Sequence, residues 1–218
     1  MRKILFAAIF ILTGLNVFSQ DAFIDQLTGT VEIKHPGEGS FKDANKGDTV
    51  FQDTVISTGF KSYAIIKIGS TTITARPLTQ LTLSEIQKSG ETENLNVNLH
   101  TGRVRVDVKP PAGIRASTTL NGPTTSASVR GTSFEFDTDN LYVMEGAVSY
   151  TGNRGQDIIV RAGENSRLKQ SGQVAYPRDG RDQDLMPPSQ VGTGAGDAPV
   201  TGPVVISGAN FSLGLEFK

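Results

Sequence analysis

The chain has 218 residues, with 21 basic against 22 acidic side chains and no cysteine. This near balance of charge gives no electrostatic reason to bind nucleic acid, and the missing cysteines exclude disulfide and thiolate chemistry. With 24 Gly and 10 Pro, together with many Thr and Val, the composition favours strands and tight turns over helices.

The first residues predict export. Arg2 and Lys3 precede an apolar run from Ile4 to Leu15, and a polar break then allows cleavage before Gln20. The alternative is an uncleaved anchor, which needs about 20 apolar residues, and this run is shorter. We therefore expect residues 1–19 to be a signal peptide. The mature protein is then periplasmic or secreted, with no membrane span.

Short alternating runs separated by turn signals fill residues 20–175. Tyr63 to Ile68 and Thr71 to Ala75 flank a Gly-Ser turn, and Val104 to Val108 repeats the apolar-polar alternation. This spacing predicts an all-β domain, either a sandwich or a rolled sheet. For Ala22 to Leu27 the pattern allows a single helical turn.

The C-terminal part has a different composition. Residues 176–203 are rich in Pro and Gly and have little apolar surface to bury, which predicts a disordered linker. Residues 204–218 return to strand character, with an apolar face formed by Phe211, Leu213, Leu215 and Phe217. Two interpretations remain open, since this strand can fold back onto its own sheet or pair with an open edge of a partner chain.

Two Gly-containing motifs define the middle of the domain. Val129 to Thr132 predicts a sharp turn or bulge within a sheet, because Gly131 can adopt positive φ. Tyr142 to Val148 predicts a hairpin with Gly146 at its tip. Arg130 can aim its guanidinium at a carboxylate or sugar, or it can pair with an acid or backbone carbonyls and hold a bend. We favour the second, so that Arg130, Gly131 and Thr132 are expected to be structural.

No catalytic or metal-binding constellation stands out. His35 and His100 both precede turns and lack an orienting partner or nucleophile in the sequence. Asp179, Asp182 and Asp184 do not have the spacing of a calcium loop. A glycosidase-type pair of carboxylates depends on distances across the fold, and no two acids are singled out. We expect no enzymatic activity, no metal and no cofactor.

The motifs together resemble the FecR domain family. The matching pieces, in order, are Thr28-Gly29-Thr30-Val31, Asp53 to Gly59, Leu99 to Val104, Ala127 to Phe134, Met144 to Val148 and Arg161 to Glu164. They span roughly residues 27–170. The resemblance implies a jelly-roll-like β-sandwich with a binding or signal-relay role and no catalysis.

The resemblance has one departure with functional consequences. Signalling members of the family carry a cytoplasmic sigma-factor-binding segment and a membrane helix before this domain, whereas here a predicted signal peptide leads into it. We therefore expect a non-catalytic binding module for an envelope protein or glycan. The alternative is an accessory component of transmembrane signalling, acting with an outer-membrane transporter or a separate transducer.

Overall fold

The computed structural model describes residues 22–179, and within that range every regular element is a β-strand. The strands are β1 Ala22–Thr28, β2 Val31–Lys34, β3 Lys42–Asp43, β4 Val55–Thr58, β5 Tyr63–Ile68, β6 Thr71–Ala75, β7 Gln80–Ser89, β8 Thr92–Thr101, β9 Arg103–Val108, β10 Arg115–Asn121, β11 Thr125–Val129, β12 Ser133–Asp137, β13 Asn140–Glu145, β14 Ala147–Gly152, β15 Asp157–Arg161, β16 Glu164–Arg167 and β17 Arg178–Asp179. A membrane-spanning helix, long and apolar, does not occur in this part of the chain.

The strands form two sheets. Sheet A has the order β1-β5-β6-β9-β12-β13-β16-β17, and sheet B has the order β15-β14-β11-β10-β8-β7-β4-β2-β3. The predicted all-β sandwich is confirmed. Strand order within each sheet follows the chain almost throughout, whereas a jelly roll is built from Greek keys with returning strands. Neighbouring strands are antiparallel except for β8 and β10, which pair in parallel.

The hydrophobic core lies between the two sheets. Alternate residues of each strand point inward, so that Ile66 of β5, Leu83 of β7 and Val106 of β9 are fully buried. The sheets also contact each other through specific groups. Thr71 Oγ1 of β6 lies 3.2 Å from Thr118 Oγ1 of β10, and the ring of Phe136 meets that of Tyr150 edge to face at 6.4 Å.

Several predicted strands agree closely with the structure. Tyr63–Ile68 and Thr71–Ala75 are β5 and β6, and the run from Val104 to Val108 lies in β9. The helical turn allowed for Ala22 to Leu27 is wrong, because this segment is β1 and pairs with β5. Ala22 and Ile24 are both buried while Phe23 between them is only partly so, which is strand periodicity.

The predicted hairpin around Gly146 is also wrong. Strand β13 belongs to sheet A and β14 to sheet B, so the turn carries the chain from one sheet to the other. The Val129–Thr132 turn likewise connects β11 of sheet B to β12 of sheet A, and does not lie within one sheet. Alternation alone cannot separate these cases, since two strands facing each other across a core show the same period as two paired strands.

Some predictions concern residues that the structure describes in part or not at all. Strand β17 lies at the start of the range predicted as a linker and pairs with β16. The remainder of that range, the signal peptide at 1–19 and the segment 204–218 lie outside the described residues. The pairing of Phe211, Leu213, Leu215 and Phe217 therefore stays a prediction.

Candidate functional site

The two Gly-containing motifs lie against each other at one end of the sandwich. Gly131 and Gly146 have φ of 83° and 80°, and Ser133 pairs with Glu145 just beyond them. A Cβ on Gly146 would stand 2.5 Å from Thr132 Cγ2, which is closer than side-chain atoms approach. Thr132 is buried, and its carbonyl accepts a hydrogen bond from the Val108 amide at 2.8 Å. Small size at position 146 is therefore a packing requirement.

A positive-φ glycine of the motifs that resemble the FecR family lies at five of the points where the chain crosses between the two sheets, whereas the left-handed residue at the crossing from β4 to β5 is Lys61. These residues are Gly29, Gly102, Gly131, Gly146 and Gly163. Each follows the last residues of one strand and precedes a strand of the other sheet. The motifs thus mark crossing points between the two sheets of the fold.

Arg130 differs from the sequence-based expectation. Its side chain is exposed, and no hydrogen bond or ion pair joins it to another residue of the range 22–179. The acid or carbonyl partner expected for a structural arginine is thus not found in the described chain. By contrast, Arg103 lies 3.1 Å from Asp137 and Arg105 lies 3.1 Å from Asp107. The bend itself is formed by Gly131, whose φ is 83°, and by the buried Thr132.

Arg130 lines a cleft of about 470 Å³ together with Arg115. We call this the Arg115–Arg130 cleft, and its other lining residues are Thr92, Asn94, Pro110, Ile114, Ala116 and Ser117. Its size falls within the range of small-molecule sites, roughly 300–1,000 Å³. No Asp or Glu belongs to this lining set.

The parallel pairing of β8 and β10 builds the floor of the cleft. It sets Arg115 opposite Thr92 and Ser117 opposite Asn94. Ala116 is buried, so Arg115 and Ser117, its neighbours along β10, point to the outer side. Sequence reasoning missed Arg115, because nothing near it in the chain signals a site. The antiparallel pairing of β10 with β11, which ends at Val129, brings Arg115 near Arg130.

The outer face of sheet B continues from the cleft as an uncharged polar surface. We call it the Ser/Thr/Asn face. It consists of two rows in register across β8, β10, β11 and β14, namely Asn98-Asn121-Ser126-Thr151 and Asn96-Thr119-Ser128-Ser149. Neighbours in these rows bond to each other, as in the 3.3 Å contact between the Asn121 and Asn98 side chains. The rows present hydroxyl and amide groups without formal charge.

The outer face of sheet A has the opposite character, because it carries ion pairs. Lys67 lies 2.9 Å from Asp25, and Arg76, Arg103 and Arg105 pair with Glu135, Asp137 and Asp107. Partial burial tends to raise the pKa of Asp107. Hydrogen bonds from Arg105 and Ser133 outweigh that effect, and the pKa of this carboxyl lies below its usual value. The charges of this face are thus largely satisfied within the sheet.

Neither histidine lies in a catalytic arrangement in the described structure. His35 Nδ1 lies 3.2 Å from Thr54 Oγ1, and its ring meets the Phe51 ring edge to face. His100 Nε2 lies 2.8 Å from Thr82 Oγ1 on the surface of sheet B. Over residues 22–179, no group of three or more His, Cys, Asp or Glu side chains could hold a metal ion.

Comparison with known families bears directly on this part of the chain. Residues 54–149 match the family model described as FecR protein. The chain carries a FecR domain. The match extends from the residue before β4 into β14, so it includes the Val129–Thr132 turn and every lining residue of the Arg115–Arg130 cleft. No curated protein matches the chain.

Two similar solved structures are crystal structures, at 1.65 Å and 2.50 Å resolution, of a protein described as a candidate anti-sigma factor from Parabacteroides distasonis ATCC 8503. They align with TM-scores of 0.46 and 0.45, each at 13% sequence identity. Each alignment covers 57% of this chain and 59% of the other. The FecR-domain chain thus spans less than two thirds of the length of those proteins.

Proposed function

We propose that this FecR-domain protein is a non-catalytic binding module of the cell envelope with a role in signalling. The observation that carries the proposal is the family match over residues 54–149, which supports a signalling-related role. We propose further that the mature chain is periplasmic or secreted and contacts an envelope protein or glycan.

The surface of sheet B supports a binding role and points to where contact occurs. On sheet A, ion pairs already engage Lys67, Arg103 and Arg105. The Ser/Thr/Asn face instead offers hydroxyl and amide groups on paired strands, roughly 4.8 Å apart between neighbours. Their contacts within the sheet are single hydrogen bonds such as that between Asn121 and Asn98, and hydroxyl and amide groups can form more than one. A polar partner gains hydrogen bonds there without the cost of separating an ion pair.

The second candidate is an accessory component of transmembrane signalling, acting with an outer-membrane transporter or a separate transducer. The same family match favours it. The two candidates differ in the partner, since a glycan receptor would bind isolated envelope glycans and a signalling accessory would bind a membrane protein.

Site-specific photo-cross-linking in cells tests the binding face. A photoreactive phenylalanine at Ser128, on the Ser/Thr/Asn face, is expected to yield a defined adduct. The matched probe at Thr74, on the outer face of sheet A, is expected to yield none. An array of isolated glycans then separates the two candidates, and N-terminal sequencing of the exported protein tests cleavage before Gln20.

Three results would overturn the proposal. Adducts from Thr74 but not Ser128 would place binding on the other sheet. Absence of both adducts and of any glycan binding would remove the binding role. Release of shortened products from envelope polysaccharide by the purified chain would show catalysis.

A further inference from the structure

We infer that the Arg115–Arg130 cleft binds an anionic ligand through a carboxylate or phosphate group. The inference rests on the proposed binding function and names the chemistry of one site within it.

The charges lining the cleft carry the first part of the argument. Two guanidinium groups, those of Arg115 and Arg130, line it, and no carboxylate does. Glu93 follows Thr92 in β8, but its carboxylate accepts a hydrogen bond from the Ser70 amide at 2.9 Å and lies 3.7 Å from Lys88. The positive charge of the cleft is therefore not balanced by its own lining.

The position of Arg115 and Arg130 relative to each other is the second part of the argument. Val129 pairs with Thr118, so Arg130 comes next to Ser117 on the adjoining strand. Arg115 stands two residues before Ser117 on the same outer side of β10. Arg115 begins β10 and Arg130 directly follows the last residue of β11, so the two arginines are diagonal neighbours, roughly 7–8 Å apart at the backbone. Ser117 and Asn94 lie between or beside them as neutral hydrogen-bonding groups.

The walls of the cleft are formed by the loop of residues 110–114, which backbone hydrogen bonds hold in place. The Ile114 amide bonds to the Pro111 carbonyl at 3.0 Å, and the Arg115 amide bonds to the Glu91 carbonyl at 2.7 Å. A Cβ on Gly131 would lie 3.7 Å from the Pro110 ring, so this loop packs beside the Val129–Thr132 turn. The arginines therefore stand on a preformed frame, which reduces the ordering cost of binding.

The chemistry of guanidinium selects the ligand class. Arginine forms charge-assisted and often bidentate hydrogen bonds with planar carboxylates and with phosphates. A single anionic group placed between two such donors gains from both. Hydroxyl and amide groups beside it can bond to the neutral part of the same ligand.

Titration of the full mature chain with two anions tests this inference. The probes are inorganic phosphate and glucuronate, with glucose as the neutral control, all at constant ionic strength, monitored by backbone amide NMR. We expect saturable shifts at Thr92, Asn94, Ser117 and Arg130. Separate Arg115→Gln and Arg130→Gln variants should each weaken binding by about tenfold or more, the effect of losing one charge-assisted pair.

Arg167→Gln provides the matched control, since Arg167 is an exposed arginine on β16 of sheet A. It removes the same charge and should leave binding unchanged. Binding of only one probe identifies the anionic group as phosphate or carboxylate. No saturable binding of either probe, or equal weakening by Arg167→Gln, overturns the inference. If neither anion binds but Ser128 still cross-links to a partner, the inference about the cleft fails while the proposed binding function stands. The two failures are therefore distinguishable.

Discussion

Single residues at the crossing turns explain the motifs of this FecR domain. A turn that leaves one sheet and enters the other must reverse sharply in few residues, and a left-handed residue achieves this. Gly146 is also required for steric reasons, because Thr132 occupies the space that a side chain at position 146 would need. Gly163 has a similar φ of 83° but open space around it. Substitutions at Gly146 and Gly163 can therefore be compared to separate the cost of backbone strain from that of steric conflict.

Gly146→Ala should destabilise the fold more than Gly163→Ala. Both substitutions place a Cβ on a left-handed residue, at a cost of about 1–2 kcal/mol. Only Gly146→Ala adds a clash, at 2.5 Å from Thr132 Cγ2, so we expect a further loss of at least about 1 kcal/mol. Urea unfolding midpoints at unchanged m-value measure the difference. Equal losses would show that the Thr132 contact relaxes freely.

Arg130→Ala should leave stability within about 0.5 kcal/mol of the parent, as for other exposed positions. The reason is that Arg130 is exposed and bonds to no residue in the described range. Arg76→Ala is the comparison, because it leaves Glu135 half-buried without its cation and should cost about 1–3 kcal/mol. Thermal and urea unfolding measure both variants. A loss above 1 kcal/mol for Arg130→Ala would mean that the sequence-based structural role is correct after all.

At the scale of elements, β15 is an edge with consequences for association. It is the end strand of sheet B in the described structure, and β14 is its paired neighbour there. Its middle residue, Ile159, is 48% exposed, while the adjacent Val160 is fully buried. An edge strand with an exposed apolar side chain is a template for unwanted pairing.

Ile159→Lys should reduce self-association at high concentration while changing stability by less than about 0.5 kcal/mol. Sedimentation velocity over a concentration series provides the measurement. Val160→Lys is the contrasting variant, and it should unfold the domain or sharply destabilise it because it buries a charge. Unchanged association of Ile159→Lys would indicate that this edge is not exposed to other molecules.

At the scale of the whole molecule, Tyr150 ties the two sheets together. It lies in β14 of sheet B, its ring packs on Phe136 of sheet A, and its hydroxyl donates to the Asp139 carbonyl at 2.9 Å. Burial raises the pKa of the Tyr150 phenol well above its usual value of 10.0. The folded state thus favours the neutral phenol more strongly than the unfolded state does.

This linkage has a definite sign. Below pH 10.0, the unperturbed pKa, the phenol is neutral in both states and its contribution to stability is complete. As the pH rises further, the unfolded chain ionises first and stability falls. Tyr150→Phe should reduce this alkaline loss and cost about 1 kcal/mol at neutral pH, because the Asp139 carbonyl loses its donor. Urea unfolding between pH 8 and 11 (about the phenol range) checks both effects.

Tyr142→Phe is the control for that series, since Tyr142 lies on the outer side of β13 and is only partly buried. It should retain the alkaline loss of the parent. If the free energy of unfolding falls equally with alkaline pH in Tyr150→Phe and in the parent, Tyr150 does not report on separation of the sheets.

Much of the fold could be predicted from local sequence. Alternation at period two located β5, β6 and β9 closely, since each side chain direction follows from its position along a strand. Ala22 to Leu27 was misjudged because a seven-residue edge strand is too short to separate from a helical turn by periodicity. The ordered motifs identified the FecR family before any pairing was known.

The sequence alone determined the strand content, the turns and the family, because these depend on neighbouring residues and their φ preferences. Only the tertiary structure decided which sheet each strand joins, because partners across a core and partners in a ladder leave the same apolar pattern. It also decided that Arg130 is unpaired within residues 22–179 and lies beside Arg115. Arg115 and Arg130 meet through the antiparallel pairing of β10 with β11. The cleft is completed only by the parallel pairing of β10 with β8, which has β9 of the other sheet between them in the chain. Long-range pairing of this kind has no local signal.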